Sequence, residues 1–146
     1  MIRQRFEILL VEDNQADADL IAESLDEAKF LCNINVARDG TEAMAFLCRQ
    51  GDYKYAPRPR LILLDLNMPR MDGREVLRRI KQDRRLKQIP VVVLTSSKAE
   101  SDIVKSYDLH ANAYITKPVG LDGLTEIVHA MDNFWFSIVT LPGGGH

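Results

Sequence analysis

The chain has no run of about 18 apolar residues, the least that a membrane-spanning helix needs. Its first residues, MIRQRFEILL, lack the apolar core and small-residue cleavage site of a secretory signal, which points to the cytoplasm. Cysteine is scarce: Cys32 and Cys48 share no metal-type spacing and have no histidine near them. A disulfide framework and a thiolate metal centre are therefore not expected, and both read as reduced, buried packing residues. His110 and His129 are isolated, and His146 has the look of an affinity-tag residue. Charge of one sign is missing too. Nineteen basic against 21 acidic residues leave a net charge of -2, unlike a generic nucleic-acid binder. There is no P-loop and no G-x-G-x-x-G between a strand and a helix. No linker, repeat or low-complexity segment divides the 146 residues, a length that suits one domain.

What is present is alternation. EILLVE (7–12) has strand length, and NQADADLIAESLDEAKF (14–30) carries apolar residues at helical spacing. NINVA (33–37) alternates as a strand with one better-buried face. Asp39 and Glu42 form a capping-box pattern before AMAFL. Residues 48–60 read as a long irregular loop. LILLD (61–65) is a strand, GREVLRRIKQ (73–82) a helix, PVVVLT (90–95) a strand and KAESDIVKSYDL (98–109) a helix. NAYIT (112–116) is a short strand, and LDGLTEIVHAMDNFWF (121–136) a helix. Five repetitions with wholly apolar strands imply an α/β fold, a parallel sheet covered by helices on both faces.

In such a sheet the chemistry collects at the carboxyl ends of the strands. Those ends carry Glu12 and Asp13, Asp65, Thr95 and Lys117; the second strand, ending at Ala37, adds nothing. Two unit charges 4 Å apart cost about 4 kcal/mol at an effective dielectric near 20, so converging acids need relief. Protonation of one acid is one route; a bound divalent cation is the other. An all-oxygen donor set suits Mg²⁺. A metal, an ammonium and a hydroxyl together make a receptor for a phosphoryl group, and a carboxylate can attack phosphorus to give an acyl phosphate. Each residue also has a plainer reading. Asp13 or Asn14 can cap the first helix, Thr95 can be an ordinary strand residue, and Lys117 a solvated one.

Four ordered stretches resemble the receiver domains of two-component response regulators: LLVEDN, LLDLNMPRMDG, VVVLTS and AYITKP. The likeness spans about residues 6–130. It implies the flavodoxin-like receiver fold, a doubly wound five-stranded parallel sheet in the order 2-1-3-4-5. It also implies that Asp65 accepts a phosphoryl group from a histidine of a sensor kinase. Asp13 and Asp65 would bind Mg²⁺ directly, Glu12 through water and Asn67 through its backbone carbonyl. Thr95 and Lys117 would hold the phosphoryl group, with Thr95 and Tyr114 acting as the switch. Asn67 and Ser97 fall where the family tunes dephosphorylation, and Lys117-Pro118 where it commonly carries a cis peptide. The long loop before the third strand, SYDLHANAYITKP and the ending NFWFSIVTLP resemble the phytochrome-associated stand-alone members from cyanobacteria. That implies a phytochrome-type kinase as partner.

Two features invite over-reading. Residues 70–87 hold eight Lys or Arg against three acids, yet no aromatic residue to stack a base. They read as a solvated helix face and loop. Phe134, Trp135 and Phe136 cannot all face one core, because successive helical residues point about 100° apart. They form either a C-terminal lid on the protein's own helices or a self-association surface; the subfamily resemblance implies a homodimer. Residues 1–136 are expected to form the receiver and 137–146 a tail. With no further segment long enough for a DNA-binding module, output is expected through protein contacts. A phosphohydrolase built on an aspartyl phosphate is the rival reading, weakened because Asn67, two residues after Asp65, is no general acid.

Overall fold

The computed structural model describes residues 6–27, 32–68, 71–107, 109–117 and 119–120. Its strands are β1 (Phe6–Val11), β2 (Cys32–Ala37), β3 (Leu61–Asp65), β4 (Val91–Thr95) and β5 (Ala113–Thr116). They form one sheet in the order β2-β1-β3-β4-β5, with every pair parallel. Between them run α1 (Gln15–Glu27), α2 (Gly40–Leu47), α3 (Gly73–Gln82) and α4 (Lys98–Ser106).

The wholly apolar strands are the interior ones. Every residue of β3 and β4 is buried, because helices cover both faces. On one face Leu9, Val11, Ile62, Leu64 and Val93 meet Phe46 of α2, Val76, Leu77 and Ile80 of α3, and Val104 of α4. On the other, Ile8, Leu10, Leu63, Val92, Leu94 and Ile115 meet Ala18, Ile21 and Leu25 of α1. Each such aliphatic side chain contributes about 1.5–3 kcal/mol of burial. That energy sets the register, since a slip by one residue would exchange the two faces.

Helix starts follow their capping residues. Asn14 Oδ1 accepts from the Asp17 N–H at 2.9 Å, so Asn14 caps α1 and Asp13 does not. Asp39 accepts from Glu42 N–H at 2.8 Å, and Glu42 reaches back to the Arg38 N–H at 2.8 Å. The expected capping box is there, displaced by one residue at its return bond. Asp72 caps α3 by accepting from Glu75 N–H. Two glycines permit close packing at this end of the sheet. A Cβ on Gly40 would lie 2.2 Å from the Met71 carbonyl oxygen, and one on Gly73 would lie 2.5 Å from that of Asp65.

Several expectations need correction. α4 stops at Ser106 with Tyr107 as its C-cap, short of 109, and His110 beyond it has φ 64°. The stretch 48–60 is not wholly irregular, since a 3₁₀ turn spans Gly51–Tyr53. β2 lacks a clean inner face. As an edge strand with one neighbour it leaves Val36 41% exposed, while Asn35 is half-buried. Cys32 and Cys48 are half-buried rather than buried, and neither is in a disulfide. Among its described residues the basic run behaves as expected: Arg74, Arg78, Arg79, Arg84, Arg85 and Lys87 are exposed and Lys81 is half-buried. The helix expected over 121–136, Pro118, and Phe134, Trp135 and Phe136 lie outside the described residues. Among the described residues, no helix is long and apolar enough to cross a membrane.

Candidate phosphoryl and metal site

Parallel pairing brings the expected residues to one end of the sheet. Val11 pairs with Leu64, Asp65 with Leu94, and Thr95 with Thr116. Glu12 thus leaves β1 level with Asp65 at the end of β3, Thr95 closes β4 one residue further along, and Lys117 follows β5 one residue beyond that. Asp13 belongs to the same cluster: one carboxylate oxygen each from Glu12, Asp13 and Asp65 lie within 4.8 Å of one another. Glu12 and Asp65 are buried, whereas Asp13 is exposed. The set is oxygen only and partly open to water, which fits a hard divalent cation and not a soft one.

Lys117 is the counter-charge. Its Nζ donates to Asp17 Oδ2 at 3.0 Å, Glu12 Oε1 at 3.1 Å and Asp65 Oδ2 at 3.3 Å. Burial pulls the ammonium pKa down, but hydrogen bonding to Asp17 and the charges of Asp65 and Glu12 outweigh it and hold the pKa above the ordinary lysine value. Glu12 is pushed up to about 7, first by burial and then by the neighbouring Asp65 carboxylate, with Lys117 opposing both. Both routes of charge relief expected from the sequence are therefore built in. Glu12 can keep a proton, and the oxygen cluster can take a cation.

Asp17 was not legible as a member of this group. It sits in the first turn of α1, where an acid already has a reason to be, next to the positive end of the helix. Nothing in its spacing from the strand ends marks it as a lysine partner.

The loops after β3 and β4 add a second layer. The Asn67 N–H donates to Asp65 Oδ1 at 3.1 Å, folding the backbone over the acid. The Asn67 side-chain amide donates to Ser96 Oγ at 3.1 Å and to the two Glu100 oxygens at 3.0 and 2.8 Å. Glu100 Oε1 also accepts from the Ser96 N–H at 2.7 Å. Burial raises the Glu100 pKa, but the Ser96 N–H, the Asn67 amide and the positive charges of Arg74 and Lys117 lower it overall. Glu100 was also missed, although a signal existed: Ser97-Lys-Ala-Glu100 is a capping-box spacing, and Ser97 Oγ does accept from the Glu100 N–H.

The Thr95 side chain is fully buried, with Oγ1 3.3 Å from the Ser97 carbonyl oxygen and 3.4 Å from that of Ile115. Its single proton therefore goes to backbone. Tyr114, half-buried, pairs in register with Val93 and packs against the core beneath α3 and α4.

Comparison with known proteins agrees with this geometry. The model of the response regulator receiver domain matches residues 8–129. Response regulator Rcp1 of Synechocystis sp. is 53% identical over 135 residues, which cover 92% of each protein. A crystal structure of the Mn²⁺-bound form of Rcp1 aligns with TM-score 0.73 at 51% identity, over 94% of this chain and 99% of that one. The phosphorylated cyanobacterial phytochrome response regulator RcpA aligns with TM-score 0.75 at 53% identity, over 96% and 100%. The bacteriophytochrome response regulator AtBRR aligns with TM-score 0.83 at 41% identity, over 91% and 96%. With those likenesses beside an acid cluster, a lysine and a buried threonine at the strand ends, the chain belongs to the response regulator receiver domain family.

Proposed function

We propose that Asp65 is the phosphoacceptor, that Mg²⁺ is the assisting ion, and that the donor is the phosphohistidine of a phytochrome-type sensor kinase. The observation that carries this reading is the convergence of Glu12, Asp13 and Asp65 with the Lys117 ammonium. The donor assignment rests on the phytochrome and bacteriophytochrome regulators among the similar structures.

In the reaction, an Asp65 carboxylate oxygen attacks phosphorus. The new O–P bond forms as the N–P bond of phosphohistidine breaks, and the electron pair leaves with the imidazole nitrogen, which takes up a proton. Glu12, Asp13, Asp65 and the Asn67 carbonyl would hold the cation, which when bound supplies positive charge against the phosphoryl oxygens. Lys117 gives up a carboxylate for a phosphoryl oxygen, and Thr95 can turn its proton from the backbone towards another. Release of the Ile115 carbonyl by Thr95 loosens β5 beside Tyr114, which links the site to the surface of α4 and β5. Residues 1–136 act as the receiver and 137–146 as a tail, in the cytoplasm. Output runs through protein contacts, including a homodimer in which Phe134, Trp135 and Phe136 take part. The phosphohydrolase reading lacks its general acid: the amide of Asn67 is committed to Ser96 and Glu100.

Phosphotransfer from candidate kinases tests the proposal. Wild type should gain a hydroxylamine-labile label and Asp65→Asn none; equal labelling of the variant would refute the assignment.

A further inference from the structure

Glu100 occupies a singular place. It is the third residue of α4, yet its carboxylate ties together the two loops that flank the acceptor. One oxygen takes the backbone N–H of Ser96, the residue after Thr95, at 2.7 Å. Both oxygens take the amide of Asn67, whose own backbone N–H already bonds Asp65 Oδ1. Asp65 lies level with Leu94 in the sheet, so the loops that carry Asn67 and Ser96 leave the sheet side by side next to the acceptor. These are the N–H donors an anion on Asp65 would want, and an anion already holds them.

We infer that Glu100 is a positioning residue that acts as an internal competitor of the phosphoryl group. The inference rests on the reading of Asp65 as acceptor. While Asp65 is unmodified, the Glu100 carboxylate occupies the Asn67 amide and the Ser96 N–H and fixes both loops against α4. A phosphoryl group gains those donors only by displacing Glu100, and its negative charge repels that carboxylate. The first turn of α4 thus opposes the modified state. A hydrogen bond to an ionised acceptor is roughly twice as strong as one to a neutral acceptor, so removing the charge of Glu100 weakens the competitor while keeping its shape.

The test measures binding of beryllium fluoride with Mg²⁺, a phosphoryl mimic, by titration calorimetry on the full chain. Glu100→Gln should bind the mimic about fivefold to tenfold more tightly than wild type, with Glu100→Ala shifted in the same direction. Simple loss of helix capping or general loosening would lower the melting temperature and weaken binding, so tighter binding is a signature a merely structural role does not produce. Equal or weaker binding by both folded variants, with wild type binding normally, overturns the competitor role alone. Failure of wild type to bind the mimic overturns it together with the acceptor assignment.

Discussion

On the floor of the pocket, Glu12, Asp65 and Thr95 are at most 2% exposed; at its rim, Asp13, Asn67 and Ser96 face solvent. The floor is held by strand pairing and by two layers of aliphatic side chains. Its polar groups are there at a cost that Lys117 offsets, and burial pushes the Glu12 pKa up. The rim is held by helix caps and hydrogen bonds between side chains, each of modest strength. The difference separates two tasks: the floor fixes where charge is located, and the rim decides what else competes for that charge.

The floor depends most on Lys117. Replacing it with Met leaves buried acids without their cation, and unfolding free energy in metal-free buffer at pH 8 should fall by about 3 kcal/mol in denaturant titrations. A loss below about 1 kcal/mol would mean that the floor behaves like an exposed ion pair. Gly73→Ala probes the seam between floor and rim. Its Cβ would sit 2.6 Å from Leu66 Cα, so α3 must shift away from the end of β3. About 1–3 kcal/mol should be lost, read as a lower melting temperature, together with slower phosphorylation.

Titration sharpens the contrast further. The Glu12 carboxyl, followed by carbon NMR in metal-free protein, should titrate with a midpoint of about 7 rather than the ordinary glutamate value of 4.5. Because the folded value lies above the unfolded one, the stability tied to its proton is fully present below pH 4.5 and is lost as pH rises through about 7. Glu12→Gln should remove that pH dependence, and a midpoint near 4.5 in wild type would contradict the burial argument. The smallest stability effect belongs to the rim. Asp13→Asn should change unfolding free energy by no more than about 0.5 kcal/mol, yet weaken Mg²⁺ binding at least about tenfold in a calorimetric titration.

Legibility in the sequence follows the same division. Strand β3 and helix α3 were readable to the residue, because an unbroken aliphatic run and a capped amphipathic stretch leave one solution each. Placing Glu12, Asp65, Thr95 and Lys117 together needed only the rule for strand ends. The rim was harder. Asp17 reaches Lys117 across 100 residues of sequence, and no local pattern encodes that meeting. The Asn67–Glu100 contact depends on the angle at which α4 leaves β4. The Thr95 hydroxyl direction is a rotamer choice that neither composition nor spacing determines. The end of α4 was overestimated since KSYDL continues a helical pattern while the chain turns at Tyr107.

The most direct measurement is site-resolved mass analysis of the protein after exposure to acetyl phosphate, with and without Mg²⁺. One phosphoryl group is expected, mapped to the peptide containing Asp65, formed with the metal and greatly reduced when a chelator removes it. Modification at another residue, or no modification of folded protein with Mg²⁺ present, would contradict it.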